Sequence, residues 1–264
     1  MNTIKSLYYH NPNSMGFEKM IAYYKRKGYR FIDLEELYAI LKTKKTLREK
    51  LVFISLDDGW KGNFQLIPVI EKYHVPICIF VATEPLISGN YWWEYVMKEM
   101  GVKQMFEFKK LPYTDFYKQL AEIKKRNLLE RSSITKEELI ELSEHPLVTI
   151  QSHTVNHPIL TNSPIDVLNK ELYESKKKLE QITGQETYAF SYPNGSLTER
   201  EVQACKQYYK LAFTTEQRHI ELNDNLYLLP RYALTGQFYR DLLKVWGIWK
   251  WLKSIKGKIN LSIL

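Results

Sequence analysis

The chain has 264 residues, 44% of them apolar, and a formal net charge of +8. That is enough chain for one large α/β barrel or two small domains, with an ordinary apolar content for a folded core. No segment approaches the ~20 apolar residues of a membrane-spanning helix, two cysteines suggest neither a disulfide framework nor a zinc cluster, and the dispersed lysines and arginines form no nucleic-acid motif, so no nucleic-acid partner is expected.

Asn11, Pro12 and Asn13 interrupt the N-terminus before signal-peptide length, so a cytoplasmic enzyme is the expectation. Ile4 to Tyr9 reads as a strand ending at His10. A helix follows, with Phe17, Met20, Ile21 and Tyr24 at helical spacing, and Gly28 punctuates it before the strand Tyr29–Ile32. Asp33 reads as the N-cap of Leu34 to Leu41. Next come the strand Leu51–Leu56, a helix near Phe64–Tyr73 and the strand Ile77–Val81, which holds Cys78. From about Glu84 to Glu144 the rhythm breaks. This stretch is charged and helical, and it reads as an insertion on the barrel. The strand Val148–Gln151 resumes the pattern. Ser163-Pro164-Ile165-Asp166 predicts a helix start with Ser163 as cap, and Gly184 closes that helix. The strand Ala189–Tyr192, a helix around Glu199–Tyr208, the strand Lys210–Thr214 and a last strand near Leu226–Leu229 complete the series. Strands alternating with helices imply a mostly parallel sheet with crossovers.

Two clusters carry chemistry. Asp57-Asp58-Gly59 closes the Leu51–Leu56 run, and His153 and His157 follow the run Leu147–Ile150. One carboxylate and two imidazoles form a three-ligand set that leaves a metal with open positions. The second carboxylate is then free to take a proton from water. Pro158 disfavours helix at His157, so the pair belongs on a loop leaving the strand. Taken singly, the aspartates also suit a helix N-cap or turn, and the histidines suit loop hydrogen bonding. Both clusters lie at the carboxyl ends of predicted strands, where barrel active sites are built.

These motifs resemble those of the polysaccharide deacetylase family, also called the NodB-homology or carbohydrate esterase family 4 group. Leu51 to Gly59 is similar to its first motif, with Ser55 and Leu56 in place of the usual threonine and phenylalanine. Ser152-His153-Thr154-Val155-Asn156-His157-Pro158 is similar to its second. The resemblance covers about residues 6–234 and implies a distorted, incomplete (β/α) barrel over 1–240, with the insertion at about 84–144. It implies Asp58, His153 and His157 as ligands of a divalent metal, typically zinc, and Asp57 as the base that activates a water on that metal. The implied activity is removal of acetyl groups from N-acetylated sugars of a polysaccharide or glycoconjugate. Rivals are an amidase of a small non-sugar amide and a catalytically silent carbohydrate-binding or membrane-scaffold protein.

The third family motif normally holds an arginine. Phe190-Ser191-Tyr192-Pro193-Asn194-Gly195 has none, and resembles instead the Tyr-Pro-X-Gly branch. That branch implies a backbone N–H near Asn194 for the oxyanion, Tyr192 in the substrate site, and Arg231 of Leu229-Pro230-Arg231-Tyr232 as the arginine beside Asp57. A late Leu-X-His motif is missing, and His219 matches none. Tyr8-Tyr9-His10 resembles the element that permuted members use, which makes His10 the expected general acid.

Trp92 and Trp93, beside Tyr91, are read either as a sugar-stacking platform or as packing of the insertion. The tail, 241–264, mixes tryptophans and lysines and reads either as an interfacial helix at an anionic membrane surface or as a helix packed on the barrel.

Overall fold

The apolar runs become strands of a single curled sheet. The computed structural model describes residues 3–44 and 46–247. In chain order the strands are β1 (Thr3–Tyr9), β2 (Tyr29–Ile32), β3 (Lys50–Asp58), β4 (Ile77–Val81), β5 (Val148–Ser152), β6 (Ala189–Ser191), β7 (Leu211–Phe213), β8 (Ile220–Glu221) and β9 (Tyr232–Ala233). Their order is β7-β6-β5-β4-β3-β1-β8, with β2 paired to β3 and β9 to β1. Every pairing is parallel except β1 with β8. The result is a distorted, incomplete (β/α) barrel.

Side-chain alternation along β3 divides the core. Val52, Ile54 and Leu56 pack in one apolar cluster with helix residues such as Phe17, Ile70 and Leu139. Leu51 and Phe53 pack in another with Cys78, Phe80, Ala189, Leu211 and Phe213. Asp57 shares the parity of Leu51 and Phe53, so it ends the row that faces the barrel interior. The register pairs Asp57 with Phe80 and Asp58 with Val81.

The connecting helices follow from their caps. Asn13 Oδ1 accepts from the Gly16 N–H to open Ser14–Arg26, and Asp33 accepts from the Glu36 N–H to open Leu34–Thr43. Gly184 closes Ile165–Thr183 in the left-handed conformation. Three expectations need correction. The Phe64–Tyr73 helix is a 3-10 segment over Lys61–Leu66, and α-helix begins only at Ile67, where Pro68 suits the first turn. Ser163 does not cap its helix, because its hydroxyl turns back to the Ile159 carbonyl and Pro164 holds the cap position. Leu226–Leu229 is not a strand. Leu229 makes one parallel bridge to Phe213, and Pro230 has no N–H to continue a ladder. The chain crosses from β7 to β1 there and pairs again as β9.

The segment read as one insertion divides in two. Trp92–Met100, Val102–Phe108 and Tyr113–Arg126 share a small apolar core of their own. Lys136–Glu144 instead packs Leu139 and Leu142 into the barrel core, as the crossover helix before β5. Both cysteines are buried and free. Among the described residues no helix is long and apolar enough to cross a membrane. Of the basic aromatic tail, Val245 is buried and Trp246 is 53% exposed. Its residues from 248 to 264 lie outside those described.

Gly16 lies where Ser14–Arg26 meets the turn at Gly236. A methyl group on Gly16 would sit 1.6 Å from the Gly236 carbonyl oxygen. Alanine in a helix is normally worth about 1 kcal/mol over glycine. Here we expect Gly16→Ala to destabilise by about 1–3 kcal/mol, the usual cost of overpacking. A lower midpoint in urea denaturation is the expected reading, and an unchanged or higher midpoint would refute the contact.

Candidate active site

The carboxyl ends of the parallel strands open on a cavity of about 540 Å³, whose walls include His10, Asp57, Asp58, His153 and His157. β1 delivers His10, β3 both aspartates and β5 the histidine loop. Gly59, at φ 91°, turns the chain sharply after β3. Asp58 itself has φ 81°, which aims it at the same cavity as Asp57 despite opposite strand parity. Thr154 and His157 are also left-handed, at 71° and 52°. Such backbone is costly for residues with a Cβ, and clusters at functional sites.

Asp57 is clamped. Arg231 Nη1 donates to Asp57 Oδ1 at 2.8 Å and Nη2 to Oδ2 at 2.9 Å. The same guanidinium donates to Ser55 and Ser191 hydroxyls at 2.9 and 2.7 Å, and to the Thr214 carbonyl at 3.3 Å. Arg231 is fully buried, with Tyr8 against its face at 4.2 Å and Phe80 and Phe213 behind. Burial alone would raise the Asp57 carboxyl. Arg231, joined by His153 and His10, outweighs it and holds the carboxyl below its ordinary range.

Asp58, His153 and His157 converge. One ligand-capable atom from each lies within 4.8 Å of the others. Asp58 Oδ1 is 3.4 Å from His153 Nε2 and 3.5 Å from His157 Nε2. Asp58 Oδ2 accepts from the Trp60 indole at 2.8 Å, while Oδ1 is buried with no hydrogen-bond partner. His153 Nδ1 is 2.7 Å from the Ser191 carbonyl, which can only accept. Nδ1 therefore carries the proton and Nε2 offers its lone pair. Burial, with His153 beside it, pulls His157 down to about 3, so its ring is neutral and the 3.5 Å contact is not an ion pair. Burial would also lower His153, but Asp58 and Asp57 push it up. Burial would raise Asp58, but His153, His10 and His157 around it hold it well below the carboxylate range. The group could hold a metal ion. Ligands ~2.1 Å from a tetrahedral ion lie about 3.4 Å apart, a separation that the two Asp58–histidine spacings match.

The other expected residues fall out differently. Asn194 is left-handed at φ 59° and lines the cavity, and its side-chain oxygen accepts from Lys109 Nζ at 2.6 Å. Tyr192 also lines it, yet its ring is packed with Phe190, Cys205 and Tyr209, which leaves little of it for a sugar. Trp92 is corrected outright as a platform. It is buried against Phe108 and Phe116, and its indole donates to the His157 carbonyl at 2.9 Å. Trp93 does line the cavity, edge-on to His157 at 4.6 Å and stacked on Tyr91 at 4.7 Å. His219 is half-buried against the Tyr232 ring and is not in the cavity wall.

Sequence reasoning missed several supports. Besides Trp60, Asn63 Nδ2 donates to the His10 carbonyl at 2.9 Å. Glu171 is buried and accepts from the Val155 and Asn156 N–H groups and from the Asn156 amide, which pins the loop between the two histidines. No spacing rule marks these residues. Each serves a neighbour brought close only by the fold.

Parallel strands deliver two carboxylates and two imidazoles to one rim of a barrel scaffold, a group of hydrolase type that could hold a metal ion. The polysaccharide deacetylase family model matches residues 44–211, and the chain belongs to that family. It is 25% identical over 221 residues to YxkH of Bacillus subtilis, covering 83% of this chain and 64% of that protein, so it spans less than two thirds of that relative. It is 22% identical over 232 residues to the poly-β-1,6-N-acetyl-D-glucosamine N-deacetylase of Staphylococcus aureus strain MSSA476, covering 87% and 70%. In fold it is similar to the Streptococcus pyogenes deacetylase PplD in complex with acetate, with TM-score 0.68, 23% identity and coverage of 92% and 97%. IcaB from Ammonifex degensii is similar too, with TM-score 0.67, 18% identity and coverage of 92% and 96%.

The clamp on Asp57 sets a pH dependence. A carboxyl held low in the fold stabilises the protein above the unfolded carboxylate's range, and that contribution is lost as pH falls through the depressed value. Arg231→Lys keeps the charge but not the two-point clamp. Burial then counts for more and Asp57 protonates at higher pH. If Asp57 acts as a base, the acid limb of the activity profile should move to higher pH while the alkaline limb stays. An acid limb that stays in place would show that Arg231 does not set the ionisation of Asp57.

Proposed function

We propose that this protein is a divalent-metal-dependent hydrolase of carbon–nitrogen bonds that removes acetyl groups from N-acetylated sugars of a polysaccharide. The observation that carries the reading is the convergence of Asp58, His153 and His157 beside a separately clamped Asp57, in a cavity shared with His10. The family and the S. aureus relative support a polysaccharide substrate rich in N-acetylglucosamine.

A zinc or similar ion on Asp58, His153 and His157 would lower the pKa of a water and polarise the acetyl carbonyl. Asp57 takes a proton from the attacking water. Its oxygens keep lone pairs beyond those engaged by Arg231. The water oxygen bonds to the acetyl carbon, and the carbon–nitrogen bond then breaks. His10 delivers a proton to the departing nitrogen. Asn63 fixes the His10 backbone for that task. A backbone N–H near Asn194 would serve as a donor to the oxyanion. Trp93 offers a face to the sugar. The products are a free amine on the sugar and acetate.

The test is release of acetate from β-1,6- and β-1,4-linked N-acetylglucosamine oligomers, set against small acetamides. We expect amine formation on the oligomers, abolition by a chelator and recovery with zinc. Hydrolysis of small amides alone would make the protein an amidase of the same fold. Metal-loaded protein with no turnover on any acetylated sugar or amide would leave a silent binding protein.

A further inference from the structure

Lys109 is a charged residue of the cavity wall that this chemistry does not use. It ends the helix Val102–Phe108 and reaches out of the helical insertion into the wall that holds Asp58 and His157. Its position is held at both ends. Asn162, just past the histidine loop, donates to the Lys109 and Leu111 carbonyls at 3.1 and 3.3 Å. The side chain passes Trp92 and Phe106, with Nζ 5.8 and 5.7 Å from their rings, and Nζ donates to Asn194 Oδ1 at 2.6 Å.

An ammonium has three N–H donors. Among the described residues the Asn194 oxygen takes one, and no carboxylate pairs with Nζ. Surface lysines on this chain commonly pair with glutamates, as Lys110 does with Glu107 next to it. Lys109 is half-buried, and its burial works against its charge while Asp58 favours it. A desolvated cation with donors to spare costs stability unless something negative arrives. If Asp58 is engaged by a metal, its charge is already answered. An anion formed in the reaction would arise in the same cavity and could take the remaining donors.

We propose, building on the deacetylase reading, that Lys109 makes this cavity an anion site. It holds the oxyanion that forms when the acetyl carbon is attacked, and then the carboxylate of the departing acetate. Asn194 places both donors, its own backbone and the lysine it anchors, on one side of the reacting carbon. The helical insertion thereby contributes directly to chemistry, by lending one cation to the rim.

The test compares wild type with Lys109→Met and Lys109→Arg, each loaded with zinc and checked for metal content. Two substrates are used: neutral N-acetylglucosamine oligomers, and oligomers with a carboxylate beside the acetamide. We expect Lys109→Met to keep its metal and KM and to lose roughly 10²-fold in turnover on both substrates, the scale of one lost oxyanion donor. Acetate should bind it about tenfold more weakly by calorimetry, the scale of one charge-assisted contact. Arginine should restore most of both. Loss confined to the charged substrate would make Lys109 a reader of substrate charge and overturn the proposal. Unchanged turnover and acetate affinity would reduce it to a clasp between insertion and rim. Acetate affinity is measured without turnover, so it judges Lys109 even if the protein hydrolyses none of these sugars.

Discussion

The site depends on a carboxylate that stays charged out of water. Asp57 sits at the top of the barrel interior above Phe53, Phe80 and Phe213, where an unpaired charge would be costly. Arg231 makes it tolerable by engaging both oxygens, and Ser55, Ser191 and the Thr214 carbonyl take up the rest of the guanidinium. Removing one partner of such a buried pair typically costs about 3–5 kcal/mol, because the other charge is left uncompensated. The segment that carries Arg231 runs between β7 and β1, where the barrel would otherwise gape. Closing the barrel and keeping Asp57 charged are therefore one structural event.

The second carboxylate is freed by that arrangement. With Asp57 neutralised from within, Asp58 can turn outward at its left-handed backbone and meet His153 and His157. Ser191 serves both halves. Its hydroxyl accepts from Arg231 and its carbonyl fixes the tautomer of His153. The helical insertion braces the far side, with Trp92 on the His157 carbonyl and Trp93 on its ring. Asp57 and Asp58 are adjacent in sequence yet answer to different neighbours. This is how two carboxylates side by side can hold different roles.

Much of the frame was legible in the chain. The runs behind β3 and β4 are almost wholly apolar because parallel strands are covered on both faces. The two motifs stand out because their residues are adjacent or four apart. Pro158 correctly kept His157 off a helix. Legibility failed where one local feature overrode a pattern. Leu226–Leu229 looks like a strand, but Pro230 ends the pairing. Trp92 and Trp93 look alike in sequence, and only the helix geometry sends one into the insertion core and the other to the cavity. Arg231 could be reached through resemblance alone, since no periodicity ties it to Asp57. Trp60, Asn63, Lys109 and Glu171 act through contacts that no spacing encodes.

The central claim is that the adjacent aspartates divide the work, Asp58 holding a metal and Asp57 serving as base. Elemental analysis of Asp57→Asn and Asp58→Asn, alongside acetate release, tests it most directly. The account requires Asp57→Asn to keep its ion and lose roughly 10²-fold or more in turnover, the usual scale of a general base. It requires Asp58→Asn to lose the ion. An Asp57→Asn protein stripped of metal, beside an Asp58→Asn protein that keeps it, would contradict the assignment and reverse the two roles.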